Sequence, residues 1–262
     1  MKIAVHGAGG RMGQRVIALA SKEGRYEIVA AIESATHAAL GQDVGLIAGV
    51  GEMGLPLTVA GESHADVVID FSVPDAAIAI LTHCLELKKP MVIATTGFDE
   101  HQDVFIRQSA KTIPIVWAPS MSTAVNLLMK LTQVASQALT NYPSGVDVEI
   151  IERHHRFKED APSGTALRFG NIIAEAMGQS EHIHGRSGRP GKRPHNEIGY
   201  HALRTGDNPG EHTIVFGMLG ETIELSVKAS NRDCYAQGAL LAADWVANKP
   251  PGLYGMNDVL GL

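Results

Sequence analysis

The chain has 262 residues, 45% hydrophobic and 19% charged, a globular balance that suits one large or two ordinary domains and argues against disorder. Lys and Arg number 22 against 28 Asp and Glu, and the net charge of −6 disfavours a nucleic-acid binder. Two cysteines, Cys84 and Cys234, exclude a disulfide scaffold; no apolar run reaches the ~18 residues of a membrane span, and the glycine-rich stretch after Met1-Lys2 is too short for a signal sequence, so a cytoplasmic protein is expected.

In chain order, KIAVHG is a short β-branched run, followed by the turn GAGGRMG and the helical stretch QRVIALASKEG. YEIVAAIE is a second strand, and residues 34–63 are glycine-rich without a readable period. VVIDFSVP, MVIATTG and IPIVWAPS are three more strands, the first two followed by the helices DAAIAILTHCLELKK and DEHQDVFIRQSAKT. Apolar runs alternating with helical periods predict a parallel sheet covered on both faces. After residue 122 the pattern changes. STAVNLLMKLTQVASQALTN is one long helix with Leu127, Leu128, Leu131 and Val134 near one face, VDVEIIERHH alternates as a strand, and SGTALRFGNIIAEAMG is a helix. HALRTG, HTIVFGML and TIELSVKAS are strands, with a hairpin turn at LGET, and CYAQGALLAADWVANK is a final helix. Strands grouped without intervening helices predict an α+β second domain with an open mixed sheet.

Gly7, Gly9, Gly10 and Gly13 lie between the first strand and its helix. Glycines there permit a tight turn and let backbone N–H groups meet a pyrophosphate at a helix N-terminus. Glu33, 20 residues after Gly13, ends the next strand, where an acid holds adenine-ribose hydroxyls. The loops Ala94-Thr95-Thr96-Gly97 and Ala118-Pro119-Ser120-Met121 also follow strand ends, where ligands of open parallel sheets bind.

The densest chemistry is the run from Glu152 to Thr165, ERHHRFKEDAPSGT. Ser163 is placed to cap the following helix, leaving the N–H groups of Gly164 and Thr165 for an anion, while His and Lys supply protons. His154 and His155 are adjacent on a strand and point to opposite faces, and no metal-ligand spacing occurs, so no metal is expected. The overall charge makes the basic loop of Arg186, Arg189, Lys192 and Arg193 a solvated loop or one wall of an anion site rather than a nucleic-acid patch.

Together GAGGRMG, DFSVP, ATTGF, E-x-HHR-x-K-x-DAPSGTA, R-x-GD-x-x-GEH and KAS-x-R resemble the 4-hydroxy-tetrahydrodipicolinate reductase (dihydrodipicolinate reductase) family of lysine synthesis over nearly the whole chain. The resemblance implies an α/β enzyme with a Rossmann-like dinucleotide-binding domain, discontinuous over 1–122 and 234–262, and a substrate-binding and tetramerisation domain over 123–233. It implies reduction of a cyclic dicarboxylate by NADH or NADPH with loss of water, in a homotetramer. His154 and Lys158 match the acid/base and proton-donor positions, His155 a substrate contact, and Gly164 and Thr165 the carboxylate clamp. Gly7, Ala8, Gly9, Gly10, Arg11, Met12, Glu33, Ala94, Thr95, Thr96, Ala118, Pro119, Ser120 and Met121 match the cofactor contacts. Ser34 stands where some members carry an arginine against the phosphate of NADPH, so NADH is expected to serve at least as well. Another amino- or keto-acid dehydrogenase would not need the HHR…K…PSGT run, and a non-catalytic nucleotide sensor has no use for a proton-donor pair.

Overall fold

The alternating apolar runs of the first half assemble into a parallel sheet. The computed structural model describes residues 1–59 and 64–262, which divide into two units, 1–123 with 232–262, and 124–231. In the first unit lie β1 (Lys2–His6), β2 (Glu27–Ile32), β3 (Val67–Asp70), β4 (Met91–Ile93), β5 (Pro114–Trp117) and β11 (Gly252–Tyr254). Their order is β11-β5-β4-β3-β1-β2, with every neighbouring pair parallel. The chain steps outward from β1 to β2 and then back across to β3. The switch point, where ligands of such sheets bind, therefore lies at the carboxyl ends of β1 and β3.

Burial on both sides follows from the strand alternation. Ile3, Val5, Val67, Ile69 and Val116 pack under α1 (Arg11–Glu23) and α7 (Asp233–Val246). Ala4, Val68, Met91, Ile93 and Ile115 pack under α3 (Pro74–Leu87) and α4 (Glu100–Ser109). The final helix α7 is thus part of the first core, and Arg15 grips its start through a two-pronged pair with Asp233 at 2.6 and 2.9 Å. The unreadable stretch 34–63 contains the short α2 (Val44–Ala48), organised by a side chain rather than by periodicity. Asp43 accepts hydrogen bonds from the N–H groups of Gly45, Leu46, Met53 and Leu55.

The second unit is a mixed five-stranded sheet. It contains β6 (Asp147–His154), β7 (Glu181–His184), β8 (Glu197–Arg204), β9 (Glu211–Met218) and β10 (Glu221–Lys228), in the order β10-β9-β6-β8-β7. The β6–β8 and β8–β7 pairs are parallel and the β6–β9 and β9–β10 pairs antiparallel. The hairpin turn is Leu219-Gly220, so Glu221 and Thr222 already belong to β10. α6 (Gly164–Met177) covers one face, where Phe169 and Ile173 meet Ile150, Ile198, Tyr200, Ile214 and Phe216. The other face leaves Ile151 and Leu203 exposed. The long helix α5 (Thr123–Leu139) departs from the expected orientation. Its buried positions are Val125, Leu128, Thr132 and Ser136, while Leu127, Leu131 and Val134 are exposed. Leucine content misleads here because adjacent helix positions are 100° apart, so Leu127 and Leu128 cannot share one face.

Docking of α7 depends on Gly238, where a Cβ would lie 1.7 Å from the carbonyl oxygen of Met121. Backbone cannot yield as a flexible side chain can, so overpacking here is costly. Gly238→Ala is expected to destabilise the first unit by about 1–3 kcal/mol, measured as a lowered urea midpoint by circular dichroism. An unchanged midpoint would show that α7 slides freely over Met121.

Candidate active site

In the first unit the glycine turn is shaped by internal hydrogen bonds. The N–H groups of Gly7 and Ala8 donate to the Ile32 carbonyl, and that of Gly10 to the Gly7 carbonyl. The Gly9 N–H donates to Glu33 Oε2 at 3.0 Å, and the Ser34 N–H to Glu33 Oε1 at 2.9 Å. The donors left for an anion are those of the first turn of α1, whose N-cap Gly10 has no side-chain cap and which has no acidic residue in that turn. Gly13 is required for close packing, since a Cβ would lie 2.2 Å from the Gly7 carbonyl oxygen. A tight turn, an uncapped helix start and an acid at the end of β2 fit a dinucleotide. Arg11 is exposed and Met12 half-buried at that helix start.

At the ends of β1, β3 and β4 a buried network lies beneath the turn. Asp70 has no exposed surface and accepts from His6 Nδ1 at 2.7 Å, Ser72 Oγ at 2.6 Å and Thr95 Oγ1 at 2.6 Å. The Thr95 hydroxyl is therefore committed inward, and Thr96 is the exposed threonine of its loop. Thr95, Thr96, Gly97, Phe98, Asp103, Trp117 and Pro119 line a cavity of about 240 Å³. Ala94 and Ser120 are half-buried and Ala118 is buried. Met121 is buried in the core that α7 closes, where it packs rather than presents.

In the second unit the chemistry converges on Glu152, a β6 carboxylate with 1% of its surface exposed. Arg204, the last residue of β8, donates to it through both terminal nitrogens at 2.8 and 2.7 Å. His154 Nδ1 donates to Oε2 at 2.5 Å, and the Ser163 N–H donates to Oε1 at 3.1 Å. Burial alone would raise the Glu152 pKa, but the bonds from Arg204 and His154 hold it below the usual carboxylate range. An ionised Glu152 fixes the proton on His154 Nδ1 and leaves Nε2 for chemistry. Nε2 lies over Gly210, 2.9 Å from where a Cβ would stand. Burial lowers the His154 pKa, outweighing the opposite pull of Glu152, and the Lys158 charge lowers it further.

Lys158 Nζ pairs with Asp160 at 2.7 Å. That bond holds the Asp160 carboxyl below its ordinary range. His155 turns away from His154, its ring 6.2 Å from that of Phe157, and its buried Nδ1 has no hydrogen-bond partner. Ser163 caps α6 as expected, accepting the Ala166 N–H at 3.2 Å, so the N–H groups of Gly164 and Thr165 stay outside the helix ladder. In the basic loop Arg189 and Lys192 are exposed, as in a solvated loop, and the other two cations are tied to the sheet. Arg186 pairs with Glu149 and Glu197, and Arg193 with Glu149 and Asp147, so both charges are neutralised by the sheet. Among the described residues no cluster of His, Cys, Asp and Glu could hold a metal ion, and no helix is long and apolar enough to cross a membrane.

The profile described as "Dihydrodipicolinate reductase, N-terminus" matches residues 1–121, and "Dihydrodipicolinate reductase, C-terminus" matches residues 124–260. The chain belongs to the dihydrodipicolinate reductase family. It is 53% identical to a 4-hydroxy-tetrahydrodipicolinate reductase of Rhodopirellula baltica, covering 100% of this chain and 96% of the relative. A namesake from Pseudoalteromonas atlantica is 44% identical over 100% and 99% of the two chains. A dipicolinate-bound dihydrodipicolinate reductase from Paenisporosarcina sp. TG-14 superposes with a TM-score of 0.78 at 25% identity, covering 98% of each chain. As a reductase of this family the chain is an oxidoreductase of diaminopimelate and lysine synthesis that uses a nicotinamide dinucleotide.

Membership explains the motifs, and the geometry adds partners that motif reading passed over. Glu152 and Arg204 are visible in the sequence only as the leading residues of two separate motifs, and their convergence needs the β6–β8 pairing. His212, from the GEH motif on β9, is buried with its ring 5.2 Å from that of His154 and its Nε2 3.0 Å from Ser163 Oγ. Burial, helped by the His154 charge, lowers its pKa to about 4. A histidine neutral in the fold but protonated when unfolded stabilises fully above about pH 6.5 and loses that contribution as pH falls toward about 4. The second unit is therefore expected to lose on the order of 3 kcal/mol across that window from this residue alone. Urea unfolding of wild type and His212→Gln at pH 7 and 4.5 checks this, since the variant should show the weaker pH dependence.

Proposed function

We propose that the chain catalyses the whole of its family's reduction: 4-hydroxy-tetrahydrodipicolinate, a hydride from NADH or NADPH and one proton give tetrahydrodipicolinate and water, with the oxidised dinucleotide released. The observation that carries this reading is the Glu152-held His154 beside Lys158, ahead of the open helix start at Gly164 and Thr165. The dinucleotide supplies the hydride. The first turn of α1 binds its pyrophosphate and Glu33 accepts from the adenine-ribose hydroxyls.

In the second unit, Gly164 and Thr165 hold one substrate carboxylate through N–H groups and a hydroxyl, and His155, at the family's substrate-contacting position, adds a polar contact. His154 Nε2, with Lys158, delivers the proton that accompanies hydride addition. Arg204 and Glu152 do not touch substrate in this scheme; they hold the ring and keep its proton affinity within a usable range. We take the chain to work in the cytoplasm as a homotetramer, and the exposed Ile151 and Leu203 on the open sheet face suit burial against another copy.

His154→Gln and Lys158→Ala are each expected to lower kcat about 10²–10⁴-fold with the fold intact, assayed by NADH and NADPH oxidation with freshly generated substrate. Losses below about threefold in both would end the proton-donor assignment. The electrostatics give a second test with two signs. Activity that requires protonated His154 falls as pH rises through its pKa. Glu152 raises that pKa and Arg204 lowers it, so Glu152→Gln should move the fall to lower pH and Arg204→Gln to higher pH. Shifts of both in one direction would mean that another group sets the profile.

A further inference from the structure

The turn after β2 carries a residue that neither the glycine motif nor Glu33 accounts for. The His37 N–H donates to the Ser34 carbonyl at 3.0 Å, and this turn folds the chain back onto the glycine loop. The His37 ring then occupies the space beside Gly9. A Cβ on Gly9 would lie 2.6 Å from His37 Cε1, 2.8 Å from Nε2 and 3.2 Å from Glu33 Oε2. The ring thus fills the space that a side chain at position 9 would take. The Ala39 N–H donates to His37 Nδ1 at 3.2 Å, so Nδ1 is the acceptor and the neutral ring carries its proton on Nε2, the nitrogen that faces Gly9 and Glu33. Ser34, the residue that follows the acid, does not compete for this role. Its hydroxyl is spent within the turn, bonded to Thr36 Oγ1 at 3.0 Å and accepting the Thr36 N–H at 3.3 Å.

We propose that His37 is a specificity-determining residue of the dinucleotide site, donating through Nε2 to the 2′ substituent of the adenine ribose beside Glu33. Glu33 only accepts and so favours a hydroxyl, whereas a donor next to it also satisfies a phosphate. This pairing gives a chain that lacks an arginine at position 34 a means to take NADPH as well as NADH. The proposal rests on the reading of the glycine loop and Glu33 as the dinucleotide site.

The test is fluorescence titration of the full-length protein with NADH and with NADPH in the absence of substrate. A hydrogen bond to a charged phosphate is worth more than one to a hydroxyl. His37→Ala should therefore weaken NADPH about tenfold or more and NADH less than about threefold. His37→Gln keeps an N–H donor of similar reach and should retain NADPH affinity within about threefold. Equal losses for the two dinucleotides, or no loss, would overturn the proposal, as would a Gln variant no better than Ala. Failure of the wild type to bind either dinucleotide would instead sink the underlying reading of the glycine loop.

Discussion

One buried carboxylate organises the second unit. Glu152 lies inside the fold with nearly all its surface covered, and four donors from three separate segments converge on it: Arg204 twice, His154 and the Ser163 N–H. A buried charge is tolerated only when its lone pairs are filled, so each donor is compelled to its place by the cost of leaving the others unmatched. The consequence reaches well beyond stability. The bond to Ser163 sets the start of α6 and the bond to Nδ1 sets the histidine's free nitrogen. The fork from Arg204 locks the end of β8 beside the end of β6.

The first unit follows the same logic with different partners. Asp70 sits at the carboxyl end of β3 and collects His6, Ser72 and Thr95 from three strand ends at the switch point of the sheet. Loops at strand ends are free to vary in conformation unless something ties them, and here a fully covered carboxylate does so. The glycine turn above it spends the N–H groups of Gly7, Ala8, Gly9 and Gly10 on internal acceptors. Anion binding is thereby left to the first turn of α1, where the helix dipole adds to the open N–H groups.

Much of this was legible because short-range rules suffice for it. Strand and helix alternation, the glycine turn, the acid ending β2 and the serine cap of α6 are local patterns, and each appears where its spacing puts it. The stretch 34–63 was not legible, because α2 is held by the single side chain of Asp43 reaching forward to Met53 and Leu55. The face of α5 was misread for a related reason: leucine content says how apolar a helix is, not which side its neighbours cover. β7 and β11 escaped notice because EHIH and GLY carry no apolar β-branched run, unlike the equally short β3, β4 and β5.

By itself the amino-acid sequence determined the fold class, the family and the residue types that chemistry would use, since motifs and periodicity are properties of neighbours along the chain. Tertiary structure alone decided which of those residues act together. Glu152 and Arg204 are 52 positions apart and become partners only because β6 and β8 pair in parallel register. His37 becomes part of the glycine loop only because its turn folds back onto Gly9. Thr95 and Met121, equally plausible as cofactor contacts from their loops, were turned inward by a buried carboxylate and a packed helix. The physical reason is common to all of them: a side chain's role depends on its burial and on which donor or acceptor reaches it across the fold, and neither is encoded in spacing along the chain.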